Sequence, residues 1–243
     1  MATQLTIVNN ILRRLREDTV TSVADNTYSQ LIAQFVNDAK ADMEDLNHDW
    51  SVYITEIDTT ILNDGTRTYD LTETNDRSFL IRDALSDRLP AAYDITSNEV
   101  GRLYDCPLKD VKRERSLTNN ILDVTMPKVF AITTDADGRG FTLELLWGLD
   151  SSESNRTWRT YWYVPQEDLA IDGSADATEI LLPARPVELK AVYYALNERG
   201  EEMGQPGGIA AVRANTAISA ALETDMQVQK KSDEIDITNR ENI

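Results

Sequence analysis

The apolar residues of this chain change period twice, and that change limits what it can fold into. Leu5, Val8, Ile11, Leu12 and Leu15 recur every third or fourth position, and so do Tyr28, Leu31, Ile32, Phe35, Val36, Ala39, Met43 and Leu46. Stripes of that period cover one face of an amphipathic helix. The first helix is expected over Thr3 to Arg16, with Thr3 as its N-cap. At Trp50 the period falls to two. The run Val52-Tyr-Ile-Thr-Glu-Ile-Asp-Thr-Thr-Ile61 alternates and is rich in β-branched residues, which predicts a strand.

Asn63-Asp64-Gly65 tolerates positive φ, so a hairpin back through Arg67-Thr-Tyr-Asp-Leu71 is expected. From Thr72 to Ser116 the pattern is weaker. Phe79 to Ile81 and Ala91 to Ile95 read as short strands, and Ser97 to Tyr104 as a helical turn. Lys128 to Thr133, Phe141 to Trp147 and Thr157 to Val164 read as further strands. The first two of these are joined by the turn-forming Asp135-Ala-Asp-Gly-Arg-Gly140. Trp147, Trp158, Tyr161, Trp162 and Tyr163 crowd the last two, where such rings pack a small sheet or line a contact surface.

Helical spacing returns after Pro183. Pro186 suits a first turn, and Leu189, Val192, Tyr193 and Leu196 form the stripe. Gly204-Gln-Pro-Gly-Gly208 breaks it. A last helix is expected over Ile209 to Lys230, burying Val212, Ala217, Ile218, Ala221, Leu222 and Met226. Neither helical pair can bury its stripe alone. The expected architecture is therefore α+β: a four-helix bundle of residues 1–50 and 183–230, a β-rich domain inserted at 51–182, and an extended C-terminal tail at 231–243.

With 41% hydrophobic residues in 243, the chain has enough apolar material for a proper core. No apolar run approaches the roughly 18 residues that cross a bilayer, and the N-terminus lacks a basic region followed by an apolar one. The expectation is a protein that neither spans a membrane nor follows the secretory route. One cysteine, Cys106, excludes an intrachain disulfide and a Cys-rich metal site. A formal charge of −18 opposes nucleic-acid binding by phosphate neutralisation, although an acidic wall lets DNA pass without sticking.

Nothing in the sequence assembles into a catalytic signature. His48, the one histidine, ends the second helical stripe in Glu44-Asp-Leu-Asn-His-Asp49 and reads as a helix-end cation; Asp45, His48 and Asp49 make a poor metal set without a second histidine cluster. Asp135 to Gly140 departs from a calcium loop, with Arg139 at its fifth position and Leu146 at its twelfth. Gly204 to Gly208 lacks the Gly-Lys-Ser/Thr of a phosphate loop. The chain is expected to be no enzyme and to need no cofactor or metal. The segment beyond Ser232 is the more telling one, because Ile235 and Ile237 alternate with acids as an added strand would.

Three runs carry a resemblance. Ile11-Leu-Arg-Arg-Leu-Arg-Glu-Asp18, then Tyr28-Ser-Gln-Leu-Ile-Ala-Gln-Phe-Val-Asn-Asp-Ala-Lys40 followed by Trp50, resemble the start of head-to-tail adaptor proteins of tailed bacteriophages. Pro183-Ala-Arg-Pro-Val-Glu-Leu-Lys-Ala-Val-Tyr-Tyr-Ala-Leu-Asn-Glu-Arg-Gly-Glu201 looks like that family's third bundle helix. The likeness covers the two ends of the chain and not the β-rich middle. It implies a structural virion protein of the neck, made in the host cytoplasm, that forms a homo-oligomeric ring of roughly twelve copies under the portal protein. Such a ring joins capsid to tail, contacts a downstream nozzle or tail-tube protein and leaves a channel for the genome. The resemblance also implies that the C-terminal tail, here Ile235, Asp236, Ile237, Arg240 and Ile243, docks on the portal or a neighbour. Two other readings compete: another neck or tail ring such as a stopper or terminator, and a carbohydrate-binding module built on the aromatic strands.

Overall fold

Thr3 is extended at φ −77° and ψ 159°, and its hydroxyl accepts from the Thr6 amide at 3.3 Å, so the first helix starts where its cap predicts. The computed structural model describes residues 2–46, 48–81, 92–96, 101–117, 127–135, 138–201 and 208–240. The elements are β1 (Ala2–Thr3), α1 (Gln4–Arg14), α2 (Thr27–Glu44), β2 (Ile54–Ile61), β3 (Thr68–Leu71), β4 (Phe79–Leu80), β5 (Ala92–Asp94) and β6 (Gly101–Asp105). After them come α3 (Leu108–Leu117), β7 (Val129–Thr134), β8 (Phe141–Leu145), β9 (Arg156–Tyr163), β10 (Glu179–Ile180), α4 (Ala184–Glu198) and α5 (Ile209–Arg240). They fall into two compact units, residues 1–52 with 166–243, and residues 53–165.

In the first unit α1, α2 and α4 pack against one another. Ile7, Val8, Ile11 and Leu12 of α1, Ile32, Val36 and Met43 of α2, and Val187 and Ala191 of α4 are all buried where these helices pack. Each large aliphatic side chain so buried contributes about 1.5–3 kcal/mol, which makes this three-helix contact the main support of the unit. The buried face of α2 also carries polar residues with definite partners. Asn37 donates to the carbonyl of Leu169 and accepts from its amide, at 2.9 and 3.0 Å. One turn on, the wholly buried Lys40 donates to the carbonyls of Gln166 and Glu167. Those pairs pin the segment entering the C-terminal helices onto α2. Arg14 of α1 similarly reaches Glu188 of α4 at 2.5 Å.

The second unit is one mixed sheet of eight strands in the order β2-β9-β5-β6-β7-β8-β3, with β4 also pairing on β9. Its two outermost strands, β2 and β3, come back beside each other, so the sheet curls until it is nearly closed. All pairings are antiparallel except β6 with β7, which run parallel in register Tyr104↔Val129. A parallel pair needs a crossover, and α3 supplies it. The core within the curl is Trp158, Trp162, Phe130, Leu103, Leu143 and Leu145, with Ile57, Ile61 and Leu71 from the two outer strands.

This is not the four-helix bundle with an inserted β domain and an extended tail that the hydrophobic periods suggest. Five helices occur among the described residues, and one of them, α3, lies within the sheet unit. Helix α5 lies against α4 and makes no comparable contact with α1 or α2, so the helices do not enclose a common four-membered core. The strands build a large sheet of their own rather than a few hairpins. Residues 231–240 continue α5 as helix, so the extended tail is absent from the described residues; Ile243 lies outside them.

Local expectations divide likewise. The turn at Gly65, with φ 79°, forms, but β2 pairs with β9 from Ile54↔Tyr163 to Ile61↔Arg156, and β3 pairs with β8. The hairpin of β2 with β3 is therefore overturned. The turn at Asp135 to Gly140 does join two antiparallel strands, closed by the Asp135 amide on the Gly140 carbonyl at 3.0 Å. Gly101–Asp105 is a strand, not a helical turn; residues 97–100 and Gly204 to Gly207 lie outside the described residues.

Candidate docking surface

Helix α5 contains 32 residues and is about 48 Å long at 1.5 Å per residue. Its apolar residues are not confined to one stripe. Ala211, Ala214 and Ile218 are buried at helical spacing and face the body of their unit. Of the side expected to be buried, Val212 and Met226 are instead 53% and 48% exposed, and only Ile218 is fully covered. Ile209 and Val228 are 69% and 54% exposed. The reason is supply: among the described helices and strands α4 is the main neighbour of this helix, and one neighbour shields about one side of a cylinder. More apolar surface stands on α5 than the described residues cover.

Below Ile218 the covered face turns polar and becomes a clamp. Asp225 accepts from the Ser51 amide at 3.0 Å, from the Ser51 hydroxyl, and from His48 Nε2 at 2.9 Å. Gln229, one turn further, donates to the Asp49 carbonyl at 2.6 Å and to Asp225 at 3.1 Å. The His48 ring stands edge-on to Trp50 at 5.0 Å, and the buried Trp50 donates its Nε1–H to the Met43 carbonyl at 2.9 Å. Burial pushes the Asp225 carboxyl up, but the hydrogen bonds from Ser51 and His48 outweigh it and hold it below the usual carboxylate value. The segment after α2 thus ties down α5 at its middle.

That arrangement corrects the reading of His48 as a helix-end cation, since α2 ends at Glu44 and His48 lies beyond it. It also differs from a nucleophile–base pair. The Ser51 hydroxyl donates its hydrogen bond to Asp225, not to the histidine, and both side chains hang from one carboxylate. Among the described residues no three His, Cys, Asp or Glu gather as metal ligands, and Asp45, His48 and Asp49 are not brought together as a set. The clamp residues Ser51, Asp225 and Gln229 carried no sequence signal, because their partnership spans up to 180 positions.

The tail residues fall on α5 rather than on an arm. Ile235, Asp236, Ile237 and Arg240 occupy its last turns. The aromatic strands turn inward: Trp158 and Trp162 are wholly buried, while Trp147 is half-buried. Trp162 donates to Thr160 at 2.8 Å inside the core.

No model of a known protein family matches the chain, and no curated protein matches it.

Proposed function

We propose that the chain is a structural subunit of a phage neck, a head-to-tail adaptor whose long α5 docks on the portal or on a neighbouring copy. The observation that carries this reading is the helix itself. It is clamped at Asp225 by His48 and Ser51, yet leaves Ile209, Val212, Met226 and Val228 exposed. A subunit that closes a ring needs a stiff element with apolar surface left for another chain. The likeness of Ile11 to Asp18, Tyr28 to Lys40 and Pro183 to Glu201 to adaptor proteins supports the same role. The charge of −18 suits a channel through which DNA passes without being held. On this reading the protein works in the virion neck, as a ring, between the portal and a nozzle or tail-tube protein.

The test is assembly. Purified protein mixed with a portal protein should give rings stacked on the portal in electron micrographs, and deletion of residues 232–243 should weaken stacking while the rest of the chain stays folded. Binding to tail-tube subunits with no affinity for the portal would assign it to a stopper or terminator instead. A chain that stays solitary beside both would overturn the proposal.

A further inference from the structure

The curled sheet of the second unit is short of closure by one seam. Strands β2 and β3 are its two outer members and are joined directly through residues 62–67. At the turn end the seam is shut by Tyr69, whose hydroxyl accepts from the Leu62 amide and donates to the Thr66 carbonyl, each at 3.0 Å. A cleft of about 420 Å³ runs along the seam, from Leu62, Thr66 and Tyr69 at the turn to Ile57, Leu71 and Glu73. Each strand pairs on one side only, β2 with β9 and β3 with β8. Among the described residues, neither strand is paired on its other side, which borders that cleft.

The walls have two characters. Ile57 and Leu71 are buried and form the floor, continuous with the core. Asp58, Asp70 and Glu73 are exposed along the rim, and no lysine or arginine lines the cleft. Arg159 holds Asp58 through two bonds of 2.8 Å, whereas Asp70 accepts only from the Thr142 hydroxyl among the described residues. The rim therefore carries uncompensated negative charge above an apolar floor.

We infer that this seam takes an extended segment of another protein, apolar at one set of alternate positions and basic at the other. Unpaired edges on both sides supply backbone partners for an added strand. Alternation places one set of its side chains on Ile57 and Leu71, and the other beside Asp70 and Glu73. The same carboxylates disfavour a second copy of this acidic chain in the seam, as charge on an edge strand generally does against like partners. Charge complementarity selects the basic segment.

The probe is a short fluorescent peptide alternating lysine and valine, added to the full chain. It should bind, with affinity falling steeply as salt rises, and should slow hydrogen exchange at the β2 and β3 amides that face the cleft. A peptide with glutamate for lysine should not bind. Asp70→Asn with Glu73→Gln, both at exposed positions, should weaken the lysine peptide roughly fivefold. The inference fails if the lysine peptide does not bind, or binds without slowing those amides. It fails equally if a proline-interrupted peptide of the same charge binds as well, since that is adhesion to an acidic surface. None of these outcomes depends on whether α5 docks on a portal.

Discussion

Arg16 and Gly200 end α1 and α4 with the same left-handed turn, at φ 60° and φ 72°. In each case the next residue's amide reaches back five positions to the helix, Glu17 to the Leu12 carbonyl and Glu201 to the Leu196 carbonyl, both at 2.9 Å. Glycine adopts that conformation freely, whereas an L side chain pays about 1–2 kcal/mol for it. A Cβ at Gly200 would meet nothing within 4 Å, so Gly200→Ala isolates the conformational cost and should destabilise by about 1 kcal/mol. Arg16→Gly should stabilise by about 0.5–1 kcal/mol. Urea midpoints of the two variants should move in opposite directions.

Replacement of Asp225 by Asn keeps the size and removes the charge that receives His48 and Ser51. Hydrogen bonds to a charged group are worth about 1.5–3 kcal/mol, so the variant should lose roughly 2 kcal/mol, most of it local to α5. Amide exchange in α5 should quicken more than in α1. The acid dependence follows from the lowered Asp225 carboxyl. A depressed carboxyl contributes its full stability above the unfolded value and loses it as pH falls through the folded one. The wild type should therefore weaken below pH about 4 more steeply than Asp225→Asn. Parallel curves would mean the clamp carries no electrostatic weight.

Lys40 tests the buried polar side of α2. Its side chain is wholly covered and serves the carbonyls of Gln166 and Glu167. Lys40→Met preserves most of the volume and orphans those carbonyls, at a cost of about 1–3 kcal/mol. Lys40→Ala adds a cavity and should cost more, about 3 kcal/mol or above. If methionine were stabilising, the lysine would be a buried charge tolerated rather than used.

How much of this was legible depends on how far each partner lies along the chain. The stripes of α1, α2 and α4 and the alternation of β2 and β9 are local, and periodicity finds them. The pairing of β2 with β9 sets Ile57 opposite Thr160 across the sheet, and no local signal competes with the hairpin that Asn63-Asp64-Gly65 suggests. Helix α3 escaped because it is strongly charged, with Val111 the one fully buried residue among those described on it. Alternation at Ile235 and Ile237 mimicked a strand, yet no Gly or Pro stands between Ile209 and Arg240 to stop the helix. Ile235, Asp236, Ile237 and Arg240 were expected in an extended segment and stand in helix instead. The clamp that holds that helix was invisible, since Asp225 lies 177 positions from His48.

The exposed residues of α5 separate folding from docking. Ile218 is 8% exposed and Val212 is 53% exposed on the same helix, with similar chemistry. Ile218→Ala opens a gap against the body and should cost about 2 kcal/mol or more. Val212→Thr and Met226→Gln change surface positions and should each alter stability by less than about 0.5 kcal/mol. Their effect belongs to assembly. If α5 docks through its uncovered residues, the double variant Val212→Thr with Met226→Gln should keep its melting curve yet weaken portal binding or ring formation at least tenfold, about 1.4 kcal/mol. Residues at the centre of an interface carry most of its energy, so two of the four exposed apolar side chains described on α5 are enough to register. Unchanged assembly in that variant would leave α5's apolar excess without a partner and move the search for the contact elsewhere on the subunit.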